Sequence, residues 1–152
     1  MAEYLQTTVD KFTFRVATDR LYAAEGVWVL AERSGDLHRV RIGATDYFQQ
    51  HNGDVAFAHV KPQGTSLKAG DECAELETMK VNVGLPSPVS GRIVEVNKAL
   101  ELTPEVINQD PYDRGWLAVI EVSDWDTEHH KLLDAQSYLA VMRSQAEQEL
   151  RS

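Results

Sequence analysis

One cysteine is all the chain has: Cys73, among 152 residues. An intrachain disulfide is therefore excluded, and a lone thiol fits a reducing compartment. Basic residues are short as well, 15 against 24 aspartates and glutamates, for a formal net charge of −9. No run of lysine or arginine interrupts that excess, so a surface that tracks nucleic-acid phosphates is not expected. An acidic protein of this size is suited instead to docking on basic partner surfaces. Long apolar spans are missing, and so is a charged-then-apolar leader. No membrane is expected, and the chain reads as cytoplasmic. Nucleophile–base pairs and glycine-rich phosphate loops are missing too. His38, His59, His129 and His130 lack the cysteine or carboxylate spacing that would hold a metal. The chain is expected to catalyse nothing by itself.

What is present is an ordinary hydrophobic fraction, 43%, in a length that buries a core as a single domain over 1–152. Residues 1–10 and 145–152 are polar enough to be expected as flexible ends. Between them come short alternating runs: Phe12, Phe14 and Val16; Leu21-Tyr22 joined with Gly26 to Leu30 as one strand; and Val40, Ile42 and Ala44. Ser34-Gly35-Asp36 marks a hairpin turn. Thr45-Asp46 caps a short helix closed by Asn52-Gly53. Val55 to Val60 is a strand, followed by turns at Pro62-Gln63-Gly64 and Lys68 to Asp71. Thr103, with Pro104 behind it, is expected to cap a second short helix, and Trp116 to Val122 to form a last strand. From Thr127 the period turns helical through Leu132, Leu133, Ala135, Tyr138, Leu139, Met142 and Ala146. The sum is mostly β: a flattened sandwich or barrel with short helices and a C-terminal amphipathic helix on its flank.

Chemistry concentrates in one stretch. Ala74 and Leu76 lead into Glu77-Thr78-Met79-Lys80, and Ser87-Pro88-Val89-Ser90-Gly91 follows. That pattern places Lys80 near the tip of a hairpin, with its ammonium in water and its backbone held by two strands. A solvated surface lysine is the bland alternative. The motif as a whole resembles the attachment hairpin of lipoyl and biotinyl carrier domains, which acylate this lysine with a swinging cofactor.

Further stretches resemble the H protein of the glycine cleavage system. They are Ile42 to Tyr47, Gly53-Asp54-Val55, Val94 to Asn97, Pro104 to Asn108, Asp110-Pro111-Tyr112, Gly115-Trp116-Leu117 and Leu132 to Ala135. They run in order over about residues 20–140. The resemblance implies a barrel-sandwich hybrid, lipoic acid on Lys80, and a lipoate ligase or lipoyltransferase and dihydrolipoamide dehydrogenase as partners. It also implies a cleft for the arm. His51 matches a histidine that lines it, while Glu77, Glu75 and Trp28 are candidates for ligase recognition or for the cleft. Two acids that hold the amine in that family are replaced here, by Val27 and by Gly84. An apolar replacement leaves a charged amine without a partner. The departures, and the run from Asp10 to Tyr22, are similar to the H-like lipoate-binding proteins of heterodisulfide-reductase-like sulfur oxidation. Shuttling sulfur or electrons to such a complex is the first expectation. Carrying an aminomethyl group in glycine cleavage is the alternative, and a biotinyl carrier comes third. Cys73 is expected to be a core thiol.

Overall fold

The computed structural model describes residues 3–34 and 37–151. Two stacked sheets form its centre. The larger has six strands, in the order β3 (Leu21–Ala23), β4 (Val27–Ser34), β5 (Leu37–Ala44), β11 (Ala118–Val122), β10 (Gly91–Val96) and β7 (Ser66–Leu67). The smaller has three, β6 (Val55–Val60), β8 (Glu72–Thr78) and β9 (Asn82–Pro86), with β8 in the middle. Val27, Val29 and Ile42 from the first sheet meet Ala74, Leu76 and Leu85 from the second in one continuous core. This is the expected β-sandwich, and the alternation of the sequence is its cause: on β4 the odd residues face this core and the even ones turn away.

The other face of β4 has a core of its own. Trp28 packs there with Tyr22, Tyr112 and Tyr138, beneath helix α4 (Ala135–Arg151) and the hairpin of β1 (Tyr4–Val9) and β2 (Phe12–Ala17). Tyr22 and Tyr138 stack at 4.6 Å. Helix α4 buries Ala135, Tyr138, Met142 and Ala146, one stripe at three- and four-residue spacing.

The structure differs from expectation at both ends. In place of a flexible arm, β1 pairs with β2 from Tyr4↔Ala17 to Val9↔Phe12. Asp10 makes the tight turn at φ 57°, a conformation aspartate tolerates. In place of a fraying tail, α4 runs to Arg151, and Arg143 hydrogen-bonds Thr7 on β1.

Three elements are cut differently from their pattern. Residues 21–30 form two strands, β3 and β4, because the chain turns at Gly26, whose N–H donates to Ala23 O. The helical period from Thr127 is broken: Leu133 exchanges backbone hydrogen bonds with Tyr22, and α4 starts anew with Asp134 accepting from Ser137 N at 2.8 Å. Those bonds to Ser137 also hold the Asp134 carboxyl below its usual pKa. Thr103 does not cap the helix α2 (Val106–Gln109); its hydroxyl donates back to Ala99 O at 2.9 Å. The turn expected at Ser34-Gly35-Asp36 falls partly outside the described residues, though Ser34 and Leu37 are paired.

Candidate functional site

Lys80 stands in the turn between β8 and β9, and one side chain shapes that turn. The Thr78 hydroxyl accepts from Lys80 N at 3.1 Å and from Val81 N at 3.0 Å, and donates to Val81 O at 2.9 Å. Met79 N donates to Asp54 O at 3.0 Å, which ties the turn to the neighbouring segment. The backbone at the tip is thus fixed while the side chains beside it are open. Met79 is 79% exposed and Lys80 is exposed with it.

The lysine lies against the C-terminal end of helix α1 (Asp46–Asn52). Its Nζ donates to His51 O at 3.0 Å. That carbonyl is in the last turn of α1, where no following residue supplies an intrahelical donor, so an incoming cation is a suitable partner. Gly53 closes the helix at φ 92°, and a Cβ there would come 3.0 Å from Lys80 Cδ. The helix therefore needs glycine twice over, for its backbone and for the lysine that passes it. The His51 ring stacks on Tyr47 at 5.6 Å, and its Nε2 lies 3.9 Å from a carboxylate oxygen of Glu149 on α4. Burial, and then the charge of Glu149, push the Tyr47 phenol above its ordinary pKa.

The other sequence candidates separate. Glu77 leaves the same turn along β8 and meets His59 Nε2 at 3.1 Å. Glu75 stands two residues further down β8, opposite His59 and Gly84. Trp28 is not brought to the site at all. It is 0% exposed in the second core, where its Nε1–H donates to Pro111 O at 2.9 Å and the Arg20 guanidinium sits 4.6 Å from its ring. Cys73 is buried in the sandwich core, and burial pushes its thiol up to about 12. Among the described residues no group of histidine, cysteine and carboxylates could hold a metal ion, and no helix is long and apolar enough to cross a membrane. Glu149 went unseen in the sequence. Continuing the spacing of Tyr138, Met142 and Ala146 by one more turn would have kept it on the helix.

The Ser87 to Gly91 stretch braces the hairpin from below. Ser90 N and Oγ donate to the two oxygens of Glu128 at 2.7 Å each, and Ser90 Oγ accepts from Ala69 N at 2.9 Å. A Cβ on Gly91 would lie 2.1 Å from Glu121 O, so glycine is what lets β10 approach β11.

A β-sandwich that fixes a hairpin backbone and leaves one lysine open at its tip is a carrier architecture: rigid base, exposed point of attachment. Comparison with known proteins places it further. The model of the glycine cleavage H-protein family matches residues 20–145. The glycine cleavage system H protein of Pectobacterium atrosepticum is 40% identical over 127 residues, 84% of this chain and 95% of that protein. That of Thermus thermophilus is 40% identical over 131 residues, 86% of this chain and 98% of that protein. The crystal structure of a glycine cleavage system H protein from Mycobacterium marinum matches with a TM-score of 0.71 at 34% identity, covering 81% of this chain and 95% of that one. The chain belongs to the glycine cleavage H-protein family. Lipoic acid is the cofactor that goes with this family, and an exposed amine on a fixed turn fits its attachment.

Proposed function

We propose that Lys80 bears the lipoyl group and that the protein carries an aminomethyl group for glycine cleavage. The observation that carries the cargo is the Glu149 carboxylate next to the His51 ring, an anion on the walls that adjoin Lys80. A primary amine needs such anionic and hydrogen-bonding partners. The family and its relatives support the same reading. When bound, lipoic acid supplies disulfide–dithiol chemistry. The chain's own residues present and hold. Thr78 fixes the turn that a lipoate ligase or lipoyltransferase must recognise, Glu77 and Glu75 offer that enzyme carboxylates along β8, and His51 and Glu149 receive the amine. Glycine decarboxylase and dihydrolipoamide dehydrogenase are the partners this role needs. The protein serves them without catalysing a step, in the cytoplasm, where a lone buried thiol stays reduced.

A second reading is favoured by one observation. Val27 is 0% exposed in the sandwich core, and a Cβ on Gly84 would lie 2.1 Å from Glu72 Oε1. Neither position offers an acid to an arm, as the resembled H proteins do. Transport of sulfur or electrons to a heterodisulfide-reductase-like complex needs no such acids. One experiment separates the two. Protein lipoylated to completion, with the added mass verified and absent in Lys80→Arg, is mixed with glycine, a glycine decarboxylase and labelled bicarbonate. Label exchange into glycine is the expected result, reduced in Glu149→Gln. No exchange beside a working control H protein would overturn the aminomethyl reading and leave the sulfur one.

A further inference from the structure

A slot of about 870 Å³ opens between the free side of β6 and the end of β10. Ala58, Val60, Val96, Leu100 and Trp116 make its apolar wall, and Glu95, Lys98 and Glu101 stand along its rim. Main-chain groups open into it. In an antiparallel ladder, residues between the hydrogen-bonded pairs turn their N–H and C=O away from the neighbouring strand. Lys61 N donates to Cys73 O at 2.9 Å, so Phe57 and His59 are the residues of β6 bonded to β8, and Ala58 and Val60 face the other way. Among the described residues no strand pairs with that side, because β6 is an edge of its sheet. Asn97 N donates to Leu117 O at 3.1 Å, and by the same alternation Val96 turns its backbone from β11. On its other side β10 pairs with β7 only at Gly91 and Arg92. Edge strands are ordinarily guarded by charge, proline or a bulge. The bulge of β6 lies before Phe57 and Lys61-Pro62 follow the strand, which leaves Phe57 to Val60 without a guard.

We infer that this slot takes an extended, basic segment of the decarboxylase that loads the arm, added to β6 as a further strand. The identity of that partner rests on the aminomethyl reading, while the slot itself is independent of what Lys80 carries. Ala58 and Val60 offer alternate N–H and C=O groups, the pattern a docking strand reads; such main-chain bonds give affinity, and pockets for alternate side chains give selectivity. Side chains of the added strand that point inwards meet Val96, Leu100 and Trp116, so they are apolar. Charge decides what flanks them. Glu95 and Glu101 form no ion pair among the described residues, and Lys98 is the one lysine on the rim. The net charge of −9 opposes a second copy of the chain and favours lysine or arginine in the segment. Docking here also leaves the lysine turn clear. Val55 lies opposite Thr78, and Val60 is roughly 17 Å further along the strand. The decarboxylase is thus held on the sheet that bears Lys80 without covering it.

The test uses the full chain, lipoylated, in the exchange of labelled bicarbonate into glycine at varied carrier concentration. Val60→Pro removes the N–H that faces the slot and spares the bonds to β8, a position where an edge strand tolerates proline. Val60→Ala trims the same side chain and keeps the N–H. Val60→Pro is expected to raise the KM for the carrier about fivefold, the worth of one main-chain hydrogen bond, with kcat unchanged and Val60→Ala close to the wild type. Glu95→Gln with Glu101→Gln is expected to raise KM at low salt and to match the wild type at high salt. Circular dichroism and thermal melting check that each variant is folded. In the wild type and in Lys80→Arg alike, added decarboxylase is expected to slow hydrogen exchange at Ala58 and Val60. An unchanged KM in Val60→Pro, or a rise that Val60→Ala shares in full, would overturn the added strand while leaving the aminomethyl reading intact. Indifference to the two glutamates would overturn the basic segment. Should Val60→Pro fail to fold, hydrogen exchange in the wild type decides, and no slowing over residues 55–60 overturns the slot. No label exchange by the wild type beside a working control would overturn the aminomethyl reading and, with it, the decarboxylase as occupant. A concentration-dependent dimer that Val60→Pro abolishes, with KM unchanged, would assign the slot to a second copy of the chain.

Discussion

Thr78 makes three hydrogen bonds with one hydroxyl, and all three end within the lysine turn. Serine would keep them; valine, of nearly the same shape, would keep none. Thr78→Val is expected to lose about 1 kcal/mol, the modest net worth of partly solvated hydrogen bonds. The larger effect is expected on acylation, because the turn would no longer present Lys80 in one geometry. Thermal melting and the rate of mass gain with a lipoate ligase check both, and a Thr78→Val chain modified as fast as Thr78→Ser would sink the idea. At this scale the sequence was legible where residues are neighbours in the chain. Lys80 and its turn stood out because the motif is contiguous. The closeness of Glu149 to His51 was hidden, since it depends on where the end of α4 comes to lie. Trp28 misled in the opposite way: a tryptophan beside altered positions suggested a cleft, but strict alternation on β4 turns it away from Val27 and into the second core.

Elements tell a similar story one level up. The short helix α3 (Trp125–Glu128) exists to place Glu128, whose carboxylate takes the N–H and the hydroxyl of Ser90 at 2.7 Å each. Bonds to a charged, nearly buried acceptor are worth more than neutral ones, so Glu128→Ala is expected to cost about 2 kcal/mol. For a domain of this size that lowers the melting temperature by roughly 4–8 °C, measurable by calorimetry. An unchanged melting temperature would mean that water replaces the carboxylate fully. Strands and turns with strong alternation or glycine were found from sequence alone, α1 with both of its caps among them. Strand β1 escaped because its solvent side, Tyr4, Gln6 and Thr8, is polar or amphipathic and only Val9 is fully buried. The break before α4 escaped because the buried stripe runs on across it, while the backbone bridge between Tyr22 and Leu133 involves no side-chain signal.

Across the whole molecule, the second core gathers three phenols, Tyr22, Tyr112 and Tyr138, each lifted by burial well above the ordinary 10.0. Cys73 in the first core is lifted in the same way, from 9.0 to about 12. A raised pKa in the fold means that the unfolded chain gives up its proton first. The contribution of these groups is therefore whole below about pH 9 and is lost as pH climbs through the range between the two states. Melting temperature is expected to fall between pH 9 and pH 12, with Cys73 unreactive to alkylating reagents at pH 8 until the chain unfolds. A flat melting profile through that range would count against this. The sandwich itself was legible in the pattern of short strands. The existence of a second core was not, because the residues that build it come from both ends of the chain, from β4 and, with Tyr112, from a distant loop, and nothing local announces that they meet.

The contact between Arg143 and Thr7 spans 136 residues of chain. During synthesis, β1 and β2 emerge early and wait for α4, which is made last. The lysine hairpin depends on nothing so distant: β6, β8 and β9 close among themselves by Pro86. A growing chain thus displays Lys80 on a finished turn, against α1, before α4 brings Glu149 near. Time, as well as space, leaves that amine open to an acylating enzyme, and the acid beside His51 arrives only once α4 has been made.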